Sequence, residues 1–237
     1  MFQIVYYFYT LIENNISENE AINFSVPTGN FGDIYAGYVG IKMGLPANKL
    51  IIATNENDIL DRFINSGNYS IENVTRTTSP SMDIAIASNF ERLLFDLYDK
   101  SSLLTSEKMS ELKNNKSFSV NSEQSDLAKK IFSSKKINQN EVNNLIKETY
   151  NEFDYIIDPH TAIGLGASRS CNQISDNNFI LGTAHPIKFS ETVEKAIGQP
   201  MQSSEEFNRV FDNEEKFYRF KNSTEEVRNI IKDNYSK

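Results

Sequence analysis

The chain has 237 residues, enough for one large domain or a domain and a half, and 39% hydrophobic with 24% charged residues is an ordinary globular balance. A formal net charge of -8 argues against a nucleic-acid binder, which would carry a basic patch or stripe. No apolar run approaches the roughly 20 residues that span a bilayer, the single Cys171 excludes an internal disulfide and fits a reducing cytoplasm, and two histidines leave no Cys/His cluster for zinc.

Apolar positions from Ile4 to Ile12 recur at helical spacing and predict a buried aromatic helix. Ile22-Asn23-Phe24-Ser25-Val26 alternates as a short strand. Pro27 to Gly32 reads as a turn, and Asp33 to Met43 as a helix stopped by Gly44 with Pro46 just beyond. Leu50 to Ala53 is a buried-type strand. Asn55, with Asp58 three residues later, resembles a helix N-cap with an acidic partner, opening a helix over about 58–65 that ends at Gly67. Strand, helix, strand, helix predicts an α/β fold: a parallel-type sheet covered by helices.

Residues 100–150 are different, rich in Lys, Asn, Ser and Glu, with Leu127, Ile131, Val142 and Ile146 at wider helical intervals. They read as small surface helices with polar linkers, an excursion from the main sheet. Asp158 to Ala167 returns to an apolar helix and Phe179 to Thr183 to a strand, before a charged, helical tail. The expected organisation is an α/β part over 1–99, a helical, polar excursion over 100–155, the remainder of the α/β domain over 156–202, and a C-terminal helical tail over 203–237.

The most informative stretch is Thr28-Gly29-Asn30-Phe31-Gly32-Asp33, between a strand and a helix. A helix start offers a phosphate free backbone N–H groups and the positive end of the helix dipole. Two glycines clear side chains from an approaching ligand. The motif is neither G-x-G-x-x-G nor a P-loop, and alone it reads more readily as a tight strand-to-helix turn with Asp33 as a helix-terminal acid.

Val26 to Gly37 resembles the phosphate-binding segment of threonine synthases. Further matches run in the same order through Leu50–Asp58, Ser79–Ile84, Ser88–Arg92, Asp158–Ala162 and Leu181–Phe189. The resemblance implies the tryptophan synthase beta-like PLP-dependent fold (fold type II), incomplete in this chain. It also implies conversion of O-phospho-L-homoserine and water to L-threonine and phosphate, with pyridoxal 5'-phosphate as cofactor. By the same resemblance, Gly29, Asn30, Phe31, Gly32 and Asp33 match the loop that holds the cofactor phosphate, mainly through backbone N–H groups. Thr183 matches the position facing the pyridine nitrogen. Asn89, Arg92 and His185 fall on the substrate side. Arg92 reads equally as a helix ion-pair residue, and His185 as a hydrogen-bonded residue holding its loop. His160, at a helix start, reads as structural, and Ser79 and Ser81 shape a turn about Pro80.

In that family the Schiff-base lysine lies in a His-Gly-x-Thr-x-x-Phe-Lys-Asp type of segment, and Lys42, Lys49 and Lys188 lack such surroundings. The resemblance therefore implies no catalytic lysine in this chain, a missing N-terminal half as its partner, and no turnover by the chain alone. It also implies apolar surface left uncovered where that half packs. Another fold-type-II lyase, such as a threonine dehydratase or cysteine synthase, stays open, as does a non-catalytic phosphate-ligand module. An NAD-binding domain is disfavoured, because the dinucleotide glycine spacing is absent.

Overall fold

The computed structural model describes residues 2–17, 20, 22–171, 177–202 and 205–235, in two compact units, residues 1–201 and 202–237. The first unit begins with α1 (Ile4–Glu13), β1 (Ile22–Pro27), α2 (Gly32–Lys42), β2 (Ala47–Thr54), α3 (Ile59–Ser66), β3 (Asn68–Ser70) and α4 (Phe90–Leu97). It continues through α5 (Ser102–Asn115), β4 (Ser117–Ser119), α6 (Ser122–Ile131), β5 (Phe132–Lys136), α7 (Gln139–Phe153), α8 (Pro159–Ser170), β6 (Asn177–Ile180) and α9 (Ser190–Ile197).

Four strands form one parallel sheet in the order β5-β2-β1-β6, and β3 pairs antiparallel with β4 in a separate ribbon. The registers align Phe132, Leu50, Phe24 and Phe179 in one row across the main sheet. Along β2 the side chains alternate between two cores. Leu50 and Ile52 join the cluster containing Tyr7, Phe31, Phe63 and Phe90, whereas Ile51 and Ala53 join the one containing Ile146, Ile163 and Val193. Period-two alternation therefore buries both faces of the sheet, as a parallel sheet requires. β1 shows the consequence. All six of its residues are buried, so its polar Asn23 and Ser25 are interior positions with partners, Ser25 Oγ donating to the Gly164 carbonyl at 2.6 Å.

Three local expectations are corrected. The first helix is not buried all round: Tyr7 and Leu11 are buried, but Val5, Tyr6, Tyr9 and Ile12 are all more than half exposed. Aromatic content at helical spacing gives the helix but not the width of its covered face. Asn55 caps no helix. Asp58 stands at the N-cap of α3, and the Asn55 side chain is buried with partners in the 77–83 segment. Finally, the polar stretch after residue 100 is not wholly an excursion, because Phe132–Lys136 forms β5 and extends the main sheet beside β2. As an edge strand it buries only Phe132 fully and exposes its lysines, which is why its sequence resembles a linker.

In the second unit, α10 (Glu205–Asp212) and α11 (Thr224–Tyr235) flank an irregular segment in which the Tyr218 hydroxyl donates to Asn234 Oδ1 at 3.0 Å. Residues 203, 204, 236 and 237 of the expected tail lie outside the described residues.

Candidate functional site

Because the four strands are parallel, their carboxyl ends open on one edge, where α/β sheets hold ligands. β1 leads there into Thr28–Phe31 and the start of α2, and β6 leads into Leu181–Thr183. Between these ends lies a cavity of about 550 Å3, within the range of small-molecule sites. Its walls are Tyr6, Tyr9 and Thr10 of α1, Asp33 at the start of α2, and the segment from Phe179 to Thr183.

The loop joining β1 to α2 is held in an unusual shape. Phe31 adopts left-handed backbone angles (φ 68°, ψ 6°) and is 1% exposed. A side chain in that region costs roughly 1–2 kcal/mol, here offset by the packing of its ring against Phe90 at 5.6 Å and Phe132 at 5.8 Å. Asn30 Oδ1 accepts the Gly32 amide at 2.8 Å, closing a turn on the loop itself. Gly29 lies so close to the neighbouring turn that a Cβ there would stand 2.6 Å from the Ser81 carbonyl oxygen.

Asp33 ties this loop to α1. The Tyr7 hydroxyl donates to the Asp33 carbonyl at 2.9 Å and to its Oδ1 at 3.2 Å. Burial raises the Asp33 carboxyl above its usual range, with the Tyr7 bond working against the rise. Burial also pushes Tyr7 well above the ordinary phenol value, so it stays a donor. The ring fits because residue 37 is glycine: a Cβ there would come within 2.6 Å of it.

A second helix starts nearby. Asp158 caps α8, accepting the His160 amide at 2.8 Å and the Thr161 amide at 3.4 Å, as well as the Thr161 hydroxyl. His160 Nδ1 lies 2.8 Å from Asp158 Oδ1, which makes Nδ1 the protonated nitrogen in the neutral ring. Its Nε2 is buried without a partner among the described residues, and the ring packs on Phe189 at 4.9 Å. Burial pushes the Asp158 carboxyl upward, but the bonds from His160 and Thr161 outweigh it and leave the value below the usual range.

The structure brings most of the sequence-derived candidates to this edge. Asp33 and Thr183 line the cavity, and Gly29, Asn30, Phe31 and Gly32 form the adjoining loop. Asn89 donates to the Asn30 carbonyl through both its amide (3.0 Å) and its Nδ2 (3.1 Å). His185 is exposed, and its Nδ1 accepts the Ile187 amide at 3.2 Å. Arg92 lines a different hollow, with Tyr35, Glu91, Phe95 and Ser102. The α1 wall was missed by sequence reasoning, which noticed the aromatic helix but expected it to be covered.

Known structures share this fold. A structure of pyridoxal-phosphate-bound threonine synthase from Brucella melitensis superimposes with a TM-score of 0.90 at 38% identity, covering 98% of this chain and 50% of that one. The yeast threonine synthase structure gives 0.84 at 37% identity, covering 97% and 50%. A threonine deaminase from Solanum lycopersicum, at 13% identity and a TM-score of 0.51, shares the fold alone. The chain thus has the α/β fold of the fold-type-II pyridoxal-phosphate enzymes. The family model "Threonine synthase, C-terminal" matches residues 161–231. The curated threonine synthase of Pseudomonas aeruginosa is 43% identical over 218 residues, which is 91% of this chain and 46% of the relative. The chain is similar to the C-terminal part of threonine synthases and spans about half the length of the relatives it matches.

Proposed function

We propose that this chain is the phosphate-side half of a threonine synthase, converting O-phospho-L-homoserine and water to L-threonine and phosphate once an N-terminal half supplies the Schiff-base lysine. The observation that supports it best is the placement of the α2 start on a cavity of about 550 Å3 with aromatic walls. The residues fit pyridoxal phosphate. The amides opening α2 have no preceding helical carbonyl to bond and carry the positive end of an 11-residue helix. Tyr6, Tyr9, Phe179 and Leu181 offer apolar walls for a ring, and Thr183 a hydroxyl.

When bound, the cofactor supplies the electron sink that carbanion chemistry needs. This chain's own part is holding and orienting. Gly29, Asn30, Phe31, Gly32 and Asp33 would hold the cofactor's phosphate, mainly through backbone N–H groups. The Thr183 hydroxyl would face the pyridine nitrogen, and a hydroxyl there, unlike a carboxylate, would leave that nitrogen largely unprotonated. Asn89 braces the loop on its substrate side, and His185 holds the segment beyond Thr183. Arg92 is exposed on α4 and lines a hollow apart from this cavity.

Phosphate release from O-phosphohomoserine tests the proposal. The chain is combined with the N-terminal half of the P. aeruginosa relative and set against the chain alone. Turnover in the combination and none in the isolated chain supports it. Robust turnover by the isolated chain shows that a catalytic lysine lies within these residues and overturns it.

A further inference from the structure

At the carboxyl end of β2 sits a hydrogen-bonded knot that the proposed chemistry does not use. Asn55 is 2% exposed. Its Nδ2 lies 2.8 Å from Asp83 Oδ1, 2.9 Å from both Thr77 Oγ1 and Ser79 Oγ, and 3.4 Å from the Ser79 carbonyl. Its Oδ1 accepts the Asn57 amide at 2.9 Å and Asn57 Nδ2 at 3.1 Å. These partners fix the amide's orientation, since a carboxylate oxygen only accepts and a backbone N–H only donates. With two hydrogens facing four acceptor atoms, the Asn55 side-chain amide is committed to the 77–83 segment. Asp83 gathers the same segment, accepting the Thr77 amide at 2.8 Å, the Thr77 hydroxyl at 2.7 Å and Asn57 Nδ2 at 2.9 Å.

The knot matters because of what the segment touches. Its turn, closed by the Met82 amide on the Ser79 carbonyl at 2.9 Å, lies directly on Gly29. A Cβ at Gly29 would stand 2.6 Å from the Ser81 carbonyl oxygen and 3.2 Å from Met82 Cα. The loop's other flank is gripped by the two donors of Asn89 on Asn30. The backbone from Gly29 to Gly32 is therefore clamped between two loops, and Asn55 fastens one of them to the strand next to β1.

We propose that Asn55 is a positioning residue for the phosphate-side loop: it holds the Ser79–Asp83 turn against Gly29 and so sets where the loop's amides stand. The proposal rests on the reading of that loop as a phosphate site, but its first test does not. Asn55→Asp removes both N–H donors and sets a carboxylate against Asp83. In the unliganded protein, hydrogen exchange at the amides of residues 29–32 and 81–83 is expected to quicken by about tenfold, with α7 unchanged. Acceleration confined to 81–83 means that the knot serves only its own loop, and the proposal falls. Ser79→Ala, which removes one acceptor, is the milder variant should Asn55→Asp fail to fold. It is expected to quicken the same amides by roughly threefold, and unchanged exchange at 29–32 counts against the proposal in the same way.

The second test is fluorescence titration of pyridoxal phosphate into the full-length enzyme. Asn55→Asp and Gly29→Ala are each expected to weaken binding about tenfold. Together they should do little more than either alone, because both act through one contact. Effects that multiply overturn the proposal. A wild-type protein that binds no pyridoxal phosphate overturns the functional reading instead, and the exchange data then judge Asn55 alone.

Discussion

Replacing Tyr7 with phenylalanine removes one oxygen and isolates the link between α1 and the loop that precedes α2. The ring should stay in place, since it is 0% exposed, packs edge-on against Phe24 at 4.9 Å, and needs no hydroxyl to fit beside Gly37. What is lost is the single O–H shared between the Asp33 carbonyl at 2.9 Å and its Oδ1 at 3.2 Å. A hydrogen bond of this kind contributes about 1 kcal/mol net, and stranding its buried acceptors costs about 1–3 kcal/mol. A loss near 2 kcal/mol, at roughly 2–4 °C per kcal/mol for a domain of this size, lowers Tm by roughly 4–8 °C. Thermal unfolding followed by circular dichroism measures this directly. The loss should be larger at pH 7 than at pH 4, because bonds to an ionised carboxyl are stronger and Asp33, its pKa raised by burial, regains its proton as pH falls. An unchanged Tm, or a loss independent of pH, refutes the assignment of Tyr7 as the partner of the Asp33 carboxyl.

Three further outcomes follow from the same contacts. The folded pKa of Asp33 lies above its unfolded value, so its contribution to stability is complete below the unfolded pKa of about 4 and is lost as pH rises through the folded one. Asp33→Asn should therefore raise Tm at pH 7 and leave it unchanged at pH 3, and a variant less stable than wild type at pH 7 contradicts this. Asp158 behaves in the opposite sense, its stabilisation being present above the unfolded carboxyl pKa and lost as pH falls through the depressed folded value. Asp158→Ala removes the α8 cap and strands His160 Nδ1, at a cost of about 2–4 kcal/mol; a denaturant midpoint within error of wild type would show that the cap is redundant. Lastly, Val5, Tyr9 and Ile12 are 60%, 58% and 74% exposed along one stripe of α1. The isolated chain should associate with rising concentration in sedimentation runs, and Val5→Lys with Ile12→Lys should abolish it; a monodisperse unaltered chain runs against this.

The parts of the fold legible in the sequence were those whose local chemistry agrees with the tertiary solution. β1, the Gly29–Gly32 turn and α2 form such a run, because a strand, two glycines and a helix in succession leave the chain few alternatives. α8 was legible for the same reason, with Asp158 and Pro159 forming a self-contained helix start. What escaped depended on residues distant in sequence. Asn55 sits at capping spacing from Asp58, yet its donors go to Thr77, Ser79 and Asp83, more than 20 positions away. Lys135 and Lys136 look like linker residues until β2 pairs with them. The covered side of α1 is set by Tyr7, whose place depends on the missing side chain of Gly37. At the site, the Gly29–Gly32 loop was readable as a motif, whereas its clamping by Ser81 and Asn89 arises only when three loops meet.

The central claim is that the amides opening α2 hold the phosphate of a phosphorylated pyridine ring. A crystal structure of the completed enzyme soaked with pyridoxal phosphate tests it most directly. The account predicts phosphate oxygens about 3 Å from backbone nitrogens between Gly29 and Asp33, with the ring nitrogen beside the Thr183 hydroxyl. A phosphate seated elsewhere, with those amides facing solvent, would contradict it.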